Sequence, residues 1–367
     1  MMNEPKNILF QDIRPNWNVC PGEILDEYRK EMGWTKKELA LRLGISEKHL
    51  IDIKKGKVSI SLEMANRLGL VFSPPPAYWL RLEAIYQEQA DYLKKTQELE
   101  SEKEWLDVVP VKWLEEHNLI HTVPGAGQKV FECLKFFAVT SVSAWKEIFP
   151  KKGYILRAAK DRPADIGAVA ALIRTLEIET DAARTEDFSL EKLRQAIPRL
   201  RQLTTIQSPA EFKPQIEKIL SDCGIFISFM PFPPKASVYA ITIKRRGSYA
   251  MAFSGRYQTD DQFWFSLFHE IGHIIRGHNM ENGSDAQEEE ANIYASSVLV
   301  PNLNKYLDIP VTKERVLSIS KEIGIAPGIL VGQLQHCKKI KQNYPWANEM
   351  KVRYQKEEFF RQPSIPA

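Results

Sequence analysis

No run of about 18 apolar residues occurs anywhere in the 367-residue chain, so no membrane-spanning helix is expected. The opening residues, MMNEPKNILFQD, hold no basic start followed by an apolar block, so no secretory signal is expected either. Cysteine is scarce. Cys20, Cys133, Cys223 and Cys337 lie far apart with no CxxC pair, which excludes a disulfide framework and a thiolate zinc site and fits a reducing, cytoplasmic setting. Charge of one sign is lacking as well: 50 Lys and Arg against 47 Asp and Glu leave a net +3, so a nucleic-acid signal must come from where the charges sit. No fixed-period repeat is visible. What the chain does have is 44% apolar residues, enough for a core, which excludes disorder over the whole length. The length predicts two or three domains.

The patterning divides the chain into five stretches. Over 14–87, five helical patterns follow one another. GEILDEYRKEMG places Ile24, Leu25, Tyr28 and Met32 at helical spacing. Thr35, with Glu38 three residues on, reads as a capping box for a helix that stops at Gly44. Ser46 and Ser61 open two more, and FSPPPAYW is a proline stop before a helix with Trp79, Leu82 and Tyr86. The polar stretch 88–107 reads as a solvated connecting helix. Helical patterns without a catalytic motif fill 108–204, as in a spacer or recognition region. Over 205–345, GIFISFM, SVYAITIK and SYAMAFS read as strands, with a hairpin turn at Arg245-Arg246-Gly247. Helices follow, and 346–367 reads as a charged, frayed tail. The fold class is therefore α+β, mainly helical, with a small β-sheet.

The sharpest motif is His269-Glu270-Ile271-Gly272-His273. Histidines at i and i+4 lie on one helix face, about one turn apart, where both imidazoles can reach one tetrahedral ion. The surrounding helix is apolar (Phe265, Leu267, Phe268, Ile271, Ile274, Ile275), and buried histidine and glutamate need partners. Zn2+ is the expected cofactor. The next helix offers a third ligand. Glu288 shares a stripe with Ala291, Asn292, Ala295 and Leu299 that suits an inward face, and Glu290 is the alternative. Asn292, one turn after Glu288, is placed to hydrogen-bond a ligand from behind. His278 either orients substrate or caps its helix. Glu270 is the expected general base, taking a proton from water and passing it to a leaving amine, which makes amide hydrolysis the natural reaction. SYAMAFS is a candidate unpaired edge strand for an extended peptide.

HEIGHIIRGH followed by EEEANIYASSVLVP resembles the ImmA/IrrE metallopeptidases, whose pattern runs HExGHxxxxH, then ExxAN, a helix and a closing proline. DDQFWFSLF and IAPGILVGQLQH also look like this group, and the resemblance covers about 209–354. It implies a gluzincin-like zinc metallo-endopeptidase domain with ligands His269, His273 and Glu288 and catalytic Glu270. Tyr294-Ala295-Ser296 departs mildly from the Phe-Ala-Ala frequent there.

The second motif is KKELALRLGIS, from Lys36 to Ser46, followed by Leu50, Ile53 and Gly56. Two short helices meeting at Gly44-Ile45 have helix-turn-helix spacing. From Arg29 to Lys57 nine basic residues face four acidic ones, a local excess suited to phosphates. Lys36 and Lys37 are placed for the DNA backbone, and Ser46, Glu47, Lys48, His49 and Asp52 for the major groove. Residues 21–86 are similar to Cro/cI-type, lambda-repressor-like domains, most of all the HigA-type antitoxins, through PGEIL, the KKELALRLGIS core and AYWLRLEAIY. Lys36 stands where that family often has glutamine.

Together the two halves resemble cytoplasmic regulators that join a DNA-binding domain to a zinc endopeptidase. The expected partners are operator double-stranded DNA and a protein substrate or toxin, with no membrane. Helix-turn-helix proteins commonly bind paired half-sites as dimers, which adds a homodimer. The alternative is a non-catalytic DNA-binding antitoxin whose metal domain binds a toxin or senses a ligand.

Overall fold

The computed structural model describes residues 19–149, 165–183, 186–256, 259–278, 284–307, 311–342, 344–355 and 358–360. The start of the first stretch (14–18) and the PSIPA end lie outside them. The chain divides into two compact units, 1–101 and 102–367.

The first unit is helical: α1 Pro21–Glu31, α2 Lys36–Leu43, α3 Glu47–Lys54, α4 Leu62–Val71 and α5 Pro76–Glu98. The boundaries follow local chemistry. The hydroxyls of Thr35, Ser46 and Ser61 accept the N–H groups of Glu38, His49 and Met64, and each opens a helix. Gly44 ends α2 at φ 65°, a left-handed conformation that costs glycine least. The capping box at Thr35 is half made, because the Glu38 carboxylate turns to Arg42 instead. Leu25, Leu39, Ala40, Leu50, Ile53, Leu68 and Trp79 close one core. Asp26 on α1 accepts from Arg29 Nε at 2.8 Å and Lys54 Nζ at 2.6 Å, tying α3 to α1. Burial opposes the Asp26 charge, but these two cations outweigh it and hold the carboxyl well below its usual range.

A 3-10 run, Leu99–Asp107, continues from α5, so the expected connecting helix changes its winding and then buries Trp105. The second unit then holds α6 Val111–Glu116, α7 Ala126–Phe137, α8 Val142–Ile148, α9 Ile166–Ala182, α10 Leu190–Gln202, α11 Pro209–Ser221, β1 Ile225–Phe229, β2 Ala240–Arg245, β3 Ser248–Phe253, α12 Asp260–Arg276, α13 Asp285–Leu299, α14 Asn304–Leu307, α15 Lys313–Ile323, α16 Pro327–His336 and α17 Pro345–Glu349. Trp105, Phe137, Trp145 and Phe149 meet in an aromatic cluster, in which Trp145 and Phe149 stack and the other pairs are tilted or edge to face.

The sheet order is β1-β3-β2, with β3 parallel to β1 and antiparallel to β2. Arg246 and Gly247, both at positive φ, form the two-residue turn between β2 and β3. Strand alternation sorts the side chains. Ile225, Ile227, Phe229, Tyr249, Met251 and Phe253 face a core shared with α10, α11 and α12, while Ala250, Ala252 and Ile243 face α9.

Three expectations change. SYAMAFS is not an edge: β3 is hydrogen-bonded on both sides, and β2 is the strand with no further neighbour among the described residues on its side of the sheet. The stretch 108–204 is not a separate spacer throughout, since α9 covers one sheet face and Leu193, Ala196 and Leu200 of α10 join the main core. An apolar helix stripe demands burial but does not say against what. The described part of 346–367 is packed rather than frayed. Phe359 is 1% exposed, its carbonyl accepts from Lys213 Nζ at 2.6 Å, and Val352 exchanges hydrogen bonds with Asp260 at the start of α12.

Candidate metal centre and nucleic-acid interface

The helix α12 carries the centre. Phe263, Trp264, Leu267, Phe268 and Ile271 are fully buried, and each such side chain contributes on the order of 1.5–3 kcal/mol relative to exposure. That packing fixes the opposite stripe, where His269 and His273 are also buried. Gly272 lets α13 come close: a Cβ there would lie 3.0 Å from Tyr294 Cδ1 and 3.4 Å from Ala291 Cα. This contact brings Glu288, on the stripe with fully buried Ala291, Ala295 and Leu299, over the two histidines.

The three side chains converge. His269 Nε2 and His273 Nε2 are 3.1 Å apart, His269 Nε2 is 3.6 Å from Glu288 Oε2, and His273 Nε2 is 3.8 Å from Glu288 Oε1. Ligand atoms on a tetrahedral zinc, about 2.05 Å from the ion, are about 3.3 Å from one another, close to these separations. His269 Nδ1–H donates to Asn292 Oδ1 at 2.8 Å, which leaves Nε2 with a lone pair aimed at the other two groups. Two imidazole nitrogens and a carboxylate are a zinc donor set, so the residues present fit a divalent cation.

The remaining site residues fall around this triangle. Glu270, 7% exposed, accepts at Oε2 from Thr242 Oγ1 at 2.6 Å. Thr242 lies on β2, and nothing in its sequence neighbourhood marks it; the contact spans 28 residues. His278 is buried beside His273, with its Nδ1 2.8 Å from His273 Nδ1 and its Nε2 3.1 Å from Glu290 Oε2. Glu290, the alternative ligand, therefore reaches His278 rather than the triangle. Glu289 is exposed. Burial pushes the Tyr294 phenol up to about 12, so it stays neutral.

In the first unit, Lys36 and Lys37 are exposed on the first turn of α2. Ser46, Glu47 and Lys48 are exposed at the opening of α3, with the Ser46 hydroxyl engaged as its cap, and His49 and Asp52 are half-buried. Arg67 of α4 donates to the carbonyls of Leu43 and Gly44, both at 2.9 Å, and so clamps the turn between the two helices.

Comparison with known proteins divides the chain in the same way. A helix-turn-helix family model matches residues 25–72, and a model described as an IrrE N-terminal-like domain matches residues 220–304. Over 46 residues the chain is 42% identical to an uncharacterized HTH-type transcriptional regulator of Methanothermobacter thermautotrophicus, a match covering 12% of this chain and 67% of that protein. Among solved structures it is similar to antitoxin GraA, at 30% identity and a TM-score of 0.21 over 22% of this chain and 88% of that one. It is also similar to an addiction module antidote protein of a HigA family from Coxiella burnetii, at 30% identity and a TM-score of 0.21 over 23% and 94%. No described helix is long and apolar enough to cross a membrane. The chain belongs to the helix-turn-helix family of regulators through residues 25–72, and over 220–304 it carries an IrrE N-terminal-like domain.

Proposed function

We propose that this protein is a DNA-binding, antitoxin-like transcriptional regulator whose second unit is a zinc-dependent endopeptidase acting on a protein partner. The observation that carries the reading is the triangle of His269 Nε2, His273 Nε2 and the Glu288 carboxylate, with Glu270 beside it on the same helix. Bound zinc would supply a Lewis acid that polarises the scissile carbonyl and makes water nucleophilic at neutral pH. Glu270 takes the proton from the attacking water and hands it to the leaving nitrogen. Thr242 holds one carboxylate oxygen of Glu270 by donating to it, which fixes the orientation of the carboxylate. The outer edge of β2, which has no further strand beside it among the described residues, offers backbone groups on the strand that bears Thr242, where an extended peptide can add as a further strand.

In the first unit, Lys36 and Lys37 contact the DNA backbone, and the exposed opening of α3 enters the major groove. Glu270→Gln tests the enzyme: zinc content should stay at the wild-type level while cleavage of every candidate partner is lost. If wild type and variant treat each partner alike, the second unit binds or senses instead of cutting.

A further inference from the structure

We infer that His278 is a positioning residue of the metal centre: it holds His273 in the one tautomer that leaves Nε2 bare for the ion, and Glu290 holds His278 in turn. The inference rests on the reading of His269, His273 and Glu288 as ligands.

The proton positions follow from the partners, starting at the outer end. Glu290 is a carboxylate and accepts hydrogen bonds, so at 3.1 Å His278 Nε2–H is the donor. In the tautomer with its hydrogen on Nε2, the His278 ring has its lone pair at Nδ1. His273 Nδ1 lies 2.8 Å from that lone pair and donates to it. His273 Nε2 is left without a hydrogen, facing His269 Nε2 and Glu288. Asn292 does the same for His269 from the other side. Both imidazoles are thus set by α13, one directly and one through His278.

The backbone supports this arrangement. Gly277 ends α12 at φ 68°, which folds the chain back so that the His278 N–H donates to the His273 carbonyl at 3.0 Å. The two rings then meet edge to face, with centroids 4.9 Å apart. The His278 side chain is only 5% exposed, so water does not compete for its nitrogens, whereas the Glu290 side chain is 57% exposed at the outer end. An imidazole without an acceptor at Nδ1 prefers its hydrogen on Nε2, the position the ion must take. Loss of the His278 acceptor therefore works against metal before any ligand is touched.

The test uses the full chain, metal-free and labelled with 15N-histidine. Long-range 1H–15N spectra report which nitrogen of His273 is protonated, with the resonances assigned from His273→Gln. Competition with a chromophoric chelator reports the zinc dissociation constant. In wild type, His273 should carry its hydrogen on Nδ1. His278→Ala should move it to Nε2 and weaken zinc binding by roughly 10–100-fold, as for other partners behind a metal ligand. His278→Asn, whose Oδ1 replaces the acceptor at the Nδ1 position, should restore both readouts to near wild type. The inference is overturned if His278→Ala keeps the Nδ1 hydrogen and full affinity, or if folded His278→Asn behaves like the alanine variant. A wild type that takes up no zinc, but shows the His273 tautomer and loses it in His278→Ala, would sink the metal-centre reading and with it the role of His278 toward the ion, leaving only the tautomer assignment.

Discussion

Replacing Asp260 by asparagine should change how the stability of the second unit depends on pH. Asp260 opens α12 and is 1% exposed. Its Oδ1 accepts the N–H groups of Asp261 and Val352, and its Oδ2 is buried without a hydrogen-bond partner among the described residues. Burial first, and the charge of Asp261 second, raise its pKa from 3.8 to about 7, against the pull of those two N–H groups and of Lys351, which pairs with Asp261 at 2.7 Å. Tyr354 also faces this site and stays neutral. The folded state therefore holds a proton that the unfolded state has released, throughout the window between 3.8 and about 7. Stability falls as pH rises through that window. At about 1.36 kcal/mol per unit, the fall from about pH 5 to about pH 8 comes to roughly 2–3 kcal/mol. The amide oxygen of an asparagine side chain would still accept both N–H groups, and the amide would carry no charge. The quantity to measure is the difference between variant and wild type, in which the contributions of all other titrating groups cancel. Urea unfolding read by hydrogen exchange of the α12 peptides supplies it. The variant should gain roughly 2–3 kcal/mol on wild type between those two pH values. A difference that is flat with pH, or that shrinks as pH rises, would refute the reasoning.

Further outcomes follow from the same contacts. Thr242→Val removes the hydrogen bond to Glu270 and should lower kcat for peptide cleavage while zinc content, read by elemental analysis, is unchanged. Gly272→Ala sets a methyl group 3.0 Å from Tyr294 Cδ1, which should push α13 off α12, cost about 1–3 kcal/mol in thermal unfolding and weaken zinc binding by separating Glu288 from the histidines. Lys36→Ala with Lys37→Ala should weaken DNA binding about equally across sequences and lower its salt dependence by about two phosphate contacts in a titration at several ionic strengths.

The helix-turn-helix unit is legible in the sequence because its signals are local. Thr35, Gly44, Ser46 and Ser61 each cap or stop a helix through atoms a few residues away. The two histidines are legible for the same reason, since four residues make one turn, and Glu288 follows from an apolar stripe that the structure buries. What the sequence conceals is long-range. Thr242 meets Glu270 only because β2 pairs with β3 in one register. The tie from Glu290 through His278 depends on the angle at which two helices pack. The central place of β3 does carry a sequence signal: YAMAF is apolar at every position, the mark of a strand buried on both faces, whereas an edge strand tends to alternate.

The most direct test of the metal centre is elemental analysis of the purified full chain beside Glu288→Ala and Glu290→Ala. Wild type should hold about one zinc per chain, Glu288→Ala should lose it, and Glu290→Ala should retain it with weakened affinity. Stoichiometric zinc in Glu288→Ala together with its loss in Glu290→Ala would overturn the assignment of Glu288 as the third ligand.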